Sequence, residues 1–377
     1  MAEQTPTVVG PDVLIPGSDL MLGGLGRVLL LIGVVLLVVG VVLRVRAART
    51  APERRRRPVL VVAAAVLVAG GLLTAMNWPP PFVVPEFPAL PRLLPEEAVF
   101  YRQVTDLPVA PDSDRLIASQ GGLPLIPGFT SELYDGVVWG MPFNVVGPGT
   151  DMEDVELTQY PEGSYRGPYP MTDPAYIEGL PNYHVDQHYL AVDLDRRQNW
   201  ELIAARRWFG RWQAGAGATW SMDSLDYPEG WTIAAGLPLL PGTITYDEVA
   251  DGSIDHLLLG ASPISAVGEF IWPARATDGR SDDPDAPPMG AWLRLRDDVD
   301  LSGLGPQARV VATAAQRYGI LLSDTGPSFG LRGTPDARWD ASDLGTLEQL
   351  TTDDFEVVDA SGVMVDVDSM AARRSSR

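Results

Sequence analysis

The 377-residue chain has no cysteine, so disulfides, thiolate nucleophiles, cysteine-ligated zinc and iron–sulfur clusters are all excluded. It has no lysine either: every one of its 28 basic residues is arginine, set against 49 acids and only 3 histidines. No G-x-S-x-G elbow, phosphate-binding loop or complete EF-hand pattern occurs, although the acidic loop Asp282-Asp283-Pro-Asp285 resembles part of one. What is abundant is proline (34) and glycine (38). These residues punctuate the chain too often for a helical bundle and predict a strand-rich, loop-rich body.

Two apolar runs stand near the N-terminus. Residues 22–43, interrupted only by Arg27, and residues 58–76 are each about long enough to cross a bilayer, which takes ~20 residues. Between them, residues 44–57 carry Arg44, Arg46, Arg49 and Arg54 to Arg57 against a single Glu53. A short loop with that excess of positive charge stays in the cytoplasm. The expectation is a multi-pass cell-membrane protein: an extracytoplasmic segment 1–21, a two-helix hairpin, and a C-terminal domain outside the cytoplasm. Trp78 sits where an interfacial anchor belongs.

Beyond residue 78 the chain holds 20 Arg and 45 acids, a net charge of −25. Such a surface repels phosphate backbones, so nucleic acid is excluded as a partner. Residues 77–95 are dense in proline and predict an extended spacer. From 96 to 360 short apolar runs alternate with turn signals, predicting an antiparallel β-sandwich or jelly-roll-like ectodomain with two short helices, Pro306–Tyr318 and Ala341–Leu350. Residues 361–377 are small, polar and charged and predict a disordered tail. The strings GLPLIPG (122–128) and GLPLLPG (236–242) echo each other, either as two related halves or as two similar loops.

The chemistry-bearing candidates are few. His184-Val-Asp186-Gln-His188 would put two imidazoles and a carboxylate on one face if it were a strand. That set suits a divalent metal or a histidine–carboxylate acid/base pair, and it equally suits a sheet interior. His256 opens a second apolar run, and Glu201 and Glu248 are the carboxylates nearest these motifs. Trp200, Trp208, Trp212, Trp220 and Trp231 cluster in sequence, as sugar-stacking platforms do and as core residues do. No cofactor is indicated, and whether a metal binds is left open.

The strings GMPFNVVGPG, PYPMTDPAYIEG, DQHYLAVD, AGLPLLPGTITYDEVADGSIDHLLL, WPAR, PPMGAWLRLR, QRYGILLSDTG and PDARWD follow one another between Gly136 and Asp359. In that order they resemble a poorly characterised family of secreted or membrane-anchored bacterial β-rich proteins, often found beside carbohydrate-related modules. The resemblance implies a β-rich extracellular fold and marks Asp186, His188, His256, Tyr318 and Asp324 as shared polar positions. His184 lies outside the shared pattern, and the family's arginine after the His256 strand is missing, because the chain reads HLLLG. Asp186, His188, His256 and Asp324 are therefore the candidate catalytic residues, with Trp200, Trp212 and Tyr318 as candidate ligand contacts. The expected partner is a cell-envelope glycan, bound or processed; the alternative is an envelope protein, docked by a non-catalytic assembly domain.

Overall fold

A computed structural model describes residues 84–134, 136–179 and 185–374. Both apolar N-terminal runs, the arginine loop and His184 lie outside these residues. Among the described residues no helix is long and apolar enough to cross a membrane. Residues 84–205 and 211–374 form one compact unit, described here, and Arg206–Gly210 belongs to another.

Among the described residues the fold is mainly β, with 28% strand and 16% helix. The strands used below are β1 (Leu125–Pro127), β2 (Phe143–Val145), β3 (Tyr189–Asp193), β4 (Gln198–Ile203), β5 (Ala216–Ser221), β6 (Glu229–Gly230), β7 (Leu258–Ser262), β8 (Trp292–Leu295), β9 (Ile320–Thr325), β10 (Phe329–Leu331) and β11 (Phe355–Val357). Of the sheets among the described residues, the largest has six strands in the order β1-β10-β7-β9-β8-β11, and the next has five in the order β6-β5-β4-β3-β2. Both sheets are mixed, not antiparallel as expected, since β1–β10, β7–β9 and β2–β3 pair in parallel. The reason lies in the crossovers. A parallel pair needs a long connection, and residues 263–319, which include β8 and a helix, supply one between β7 and β9.

Why β3 lies inside its sheet, between β4 and β2, is visible in its sequence. YLAVD is apolar at consecutive positions rather than alternate ones, the pattern of a strand covered on both faces. Leu190 and Val192 enter the larger core together with Phe143, Trp220 and the β7 and β9 side chains. Tyr189 and Ala191 enter a second core on the opposite face, with Trp200, Leu202 and Trp212.

Four α-helical segments occur among the described residues rather than two: α1 (Ser113–Ser119), α2 (Tyr246–Ala250), α3 (Pro306–Arg317) and α4 (Ala341–Leu344). Helix α3 starts with Pro306 at its first turn and stops at Gly319, whose φ of 73° is left-handed. The Asp340 carboxylate caps α4 by accepting from Ser342 and Asp343, after which Gly345–Gln349 tightens into a 3₁₀ turn. The short helices α1 and α2 escape the sequence pattern because neither is long enough to show a helical period.

Two domain boundaries differ from expectation. Phe87, Leu93 and Leu94 of the proline-rich stretch are buried in the larger core, so the fold begins inside the expected spacer. Val363 and Met370 of the expected disordered tail are also core residues, and Ala371 bridges to Ala98. Small residues made this tail look featureless, yet Ala372 N–H donates to the Glu97 C=O at 2.8 Å. The GLPLIPG/GLPLLPG echo is two different conformations, strand β1 in the first and a 3₁₀ turn (Leu240–Gly242) in the second.

Candidate functional site

Asp186-Gln187-His188 does not run as a strand. Gln187 has φ 57°, a left-handed kink, and the extended path begins at Tyr189. Asp186 and His188 thus lose the i, i+2 relation that would align them on one sheet face. Backbone bonds hold the kink in place: Ala204 N–H donates to the Asp186 C=O at 2.7 Å, and Ala205 N–H to the Gln187 C=O at 3.0 Å. Asp186 stays half-buried, while His188 is fully buried with 0% exposure.

His188 is paired with Glu178 through its backbone. Its N–H donates to Glu178 Oε2 at 3.3 Å, and Glu178 N–H donates to the His188 C=O at 2.9 Å. Glu178 is itself only 4% exposed. The segment that carries it is fastened by buried Asn144. The Asn144 amide donates to the Tyr176 and Leu190 carbonyls at 2.9 and 3.0 Å, and its Oδ1 accepts from Tyr176 N–H at 2.9 Å. Neither ring nitrogen of His188 has a hydrogen-bond partner. Buried polar atoms without partners are rare in native folds and call for an explanation.

The six-stranded sheet contributes Asp324 and Arg332. Along β7 and β9, Gly260 pairs with Leu322 but Ala261 pairs with Asp324, so Ser323 is an extra residue in the ladder. The Ser323 hydroxyl donates to the Gly260 C=O at 3.0 Å and pins this bulge. Bulges re-aim the side chain that follows, and here that side chain is Asp324. Arg332 follows β10. Its backbone N–H donates to the Leu259 C=O at 3.0 Å and its Nη2 donates to Asp324 Oδ2 at 3.1 Å. Asp278 stands alongside, accepting from Thr325 N–H at 3.1 Å, with Arg280 at 3.9 Å.

These groups feel one another's charge. Burial, with the Asp186 charge second, pushes the Glu178 carboxyl up to about 8. Burial, reinforced by the Arg332 charge, pushes the His188 imidazole down to about 3. Asp324 is also raised: burial dominates, and the Asp278 and Asp186 charges add to it against the pull of Arg332. The Arg332 guanidinium faces the charges of Asp324, Glu178 and Asp186 together, and they raise its own pKa despite its burial. One cation cannot neutralise three carboxylates in a poorly hydrated site, so a proton remains on a carboxyl at neutral pH. At pH 7 the site therefore offers a carboxylic acid on Glu178 beside an uncharged imidazole. The protonated carboxyl is unusual at that pH, and a group perturbed in this way marks a functional-site candidate.

The other sequence candidates lie elsewhere. His256 Nε2 is 3.1 Å from Glu248 Oε1, and its Nδ1 is 2.7 Å from the Leu257 C=O. Glu248 in turn closes the capping box of α2, accepting at Oε2 from Thr245 N–H at 3.0 Å and from its hydroxyl at 2.7 Å. This pair borders a separate cleft of about 250 Å³ with Arg92, Tyr101 and Asp255. Burial opposes the charge on both partners, but each outweighs it for the other, so His256 is raised and Glu248 lowered.

Trp200 and Trp212, 6% and 5% exposed, are packed into the second core, and Tyr318 at 4% into the larger one. Their rings fill the interior, which corrects the expectation of a ligand platform. Glu201 is buried as well, and fully engaged by Trp220 Nε1 (2.9 Å), the Thr232 hydroxyl (2.7 Å) and Leu239 N–H (2.9 Å). Among the described residues no group of three or more histidines and acids is arranged to hold a metal.

Glu178 and Arg332 were missed by sequence reasoning. Glu178 lies within the string PYPMTDPAYIEG, ten residues before His188, and no local pattern pointed to it. Arg332 becomes a partner of Asp324 only through the pairing of β10 with β7. Comparison of the chain with protein families, with curated proteins and with solved structures found no match.

Proposed function

We propose that this is a membrane-anchored extracytoplasmic protein whose β-rich domain binds and processes a cell-envelope carbohydrate. The anchor is the apolar pair 22–43 and 58–76, with the arginine loop inside and both termini outside. The domain is a sandwich-like stack in which two mixed sheets contribute to one larger core. The observation that carries the chemistry is Glu178, a buried carboxyl raised to about 8 beside the charge of Asp186. Cleavage of a glycosidic bond needs one carboxyl that is still protonated at neutral pH and a second that is ionised. In this reading Glu178 is the proton donor and Asp186 the carboxylate. Arg332 and Asp324 hold the charge balance, and His188 contributes a buried, uncharged imidazole.

The full chain in lipid nanodiscs, incubated with purified envelope polysaccharide, should release fragments with new reducing ends detectable by mass spectrometry. Glu178→Gln should retain binding and lose release. Absence of both binding and release for the unmodified chain would overturn the reading. A second reading, a non-catalytic assembly domain docking on an envelope protein, draws on the burial of Trp200 and Trp212 and on the net charge of −25 beyond residue 78. Recovery of one stoichiometric basic envelope protein after cross-linking, with no effect of Glu178→Gln, would favour it.

A further inference from the structure

The sequence RRWFG at 206–210 is out of character with its surroundings. It carries two arginines, two aromatics and no acid, inside a stretch whose net charge is −25. Arg206–Trp208 is extended, and the chain then turns at Phe209 and Gly210, with φ 46° and 81°. A tight turn with positive φ at both central positions favours Asn-Gly, because a side chain with a bulky Cβ substituent is strained there by about 1–2 kcal/mol. Phenylalanine is a poor choice for such a turn. It is poorly placed for water too: Phe209 is 88% exposed, well beyond any other large apolar side chain among the described residues. Trp208 packs edge-on against it, ring centroids 4.9 Å apart at 80°. Arg207 is exposed as well.

Backbone strain together with an exposed ring, both at one residue, is the pattern of a segment shaped for a contact outside its own domain. Trp and Phe at a turn tip with arginine just behind match the layering of a bilayer surface. There aromatic rings settle at the headgroup level, while arginine keeps its charge at the phosphates. Each arginine near an anionic leaflet adds about 1 kcal/mol of attraction, whereas the rest of the exported chain is repelled.

We propose that Arg206–Gly210 is a second membrane contact, with Trp208 and Phe209 inserted at the headgroup level of an anionic leaflet and Arg206 and Arg207 facing its phosphates. This rests on the membrane-anchored reading above and deepens it.

The absence of cysteine makes the test direct. Full-length Phe209→Cys, Leu36→Cys and Asp282→Cys variants, each labelled with an environment-sensitive fluorophore, are reconstituted in phosphatidylglycerol or phosphatidylcholine vesicles. The probe at 209 should be blue-shifted and several-fold less quenched by iodide than the probe at 282. Its shielding should be greater in phosphatidylglycerol and should weaken when Arg206 and Arg207 are both changed to Glu. A probe at 209 as accessible as that at 282, with the probe at 36 shielded, overturns the contact and leaves the anchor standing. Iodide access at 36 overturns the anchor. The contact is then decided by whether vesicle addition shields the probe at 209.

Discussion

Glu178 and His188 are joined by two reciprocal backbone-centred bonds, of 3.3 Å from His188 N–H to Glu178 Oε2 and 2.9 Å from Glu178 N–H to the histidine carbonyl. Both side chains are buried, and burial favours their uncharged forms even though the His188 N–H bond on its own pulls the acid down. Burial pushes the acid up and the imidazole down.

The Glu178 proton makes folding depend on pH in a definable direction. Its pKa moves from 4.5 to about 8, so between these values the folded chain keeps a proton that the unfolded chain has released. Stability falls as pH rises through that window, by up to about 4 kcal/mol. Glu178→Gln is expected to raise the melting temperature at pH 8 and leave it nearly unchanged at pH 4.5. Calorimetry at both pH values checks this, and an equal effect at both would contradict it.

His188 acts at the other end of the scale. Its pKa drops from 6.5 to about 3, so its contribution is intact above 6.5 and is lost as pH falls toward 3. His188→Asn, which cannot acquire a charge, should move the acid-unfolding midpoint, followed by circular dichroism, to lower pH. A midpoint unchanged or raised would show that another group governs acid unfolding.

Arg332 faces several acids at once, and removing it leaves buried negative charge uncompensated. Arg332→Leu is expected to lower stability by about 3–5 kcal/mol. Adding Asp324→Asn, whose carboxylate bonds to Arg332 at 3.1 Å, should recover a large part of the loss. Urea titrations of the single and double variants measure the recovery, and purely additive losses would rule out the coupling.

His256 and Glu248 form a pair with its own pH signature. The raised histidine contributes fully below its ordinary value of 6.5 and fades as pH rises through its folded value. The lowered glutamate contributes above 4.5 and fades as pH falls. A double-mutant cycle with His256→Asn and Glu248→Gln should therefore give its largest coupling, about 1–3 kcal/mol, near pH 5.5 and a smaller one at pH 9. A coupling independent of pH would mean that the pair acts through shape alone.

Much of the fold was legible because it depends on local pattern. Helix α3 was marked at both ends by Pro306 and Gly319, and β3 by its unbroken apolar run. Parallel pairing was not legible, since register and strand order arise from contacts distant in sequence. Glu269–Trp272 shows the limit of the strand signal: it reads as a strand yet makes only a bridge between Phe270 and Met289. For the site, the spacing of Asp186 and His188 pointed to those two and only the family resemblance marked Asp324; the electrostatics join these three with Glu178 and Arg332. His256 looked identical in sequence, at the edge of an apolar run, but its strand begins two residues later and its ring turns to a helix cap. The kink at Gln187, which decides where Asp186 points, has no sequence signature, because glutamine has no special preference for positive φ.

The bridge between Ala98 and Ala371, with Arg374 within 3.0 Å of Glu96 and 2.8 Å of Glu97, clasps the two ends of the domain together. A mechanical load applied at the C-terminus would therefore pass through this clasp into the segment around residues 96–98, and through the Asp226–Ser369 bridge into the chain just after β5. Tension on the C-terminal end would first break the exposed Arg374 ion pairs with Glu96 and Glu97, and would then have to draw Met370 and Ala372 out of the core.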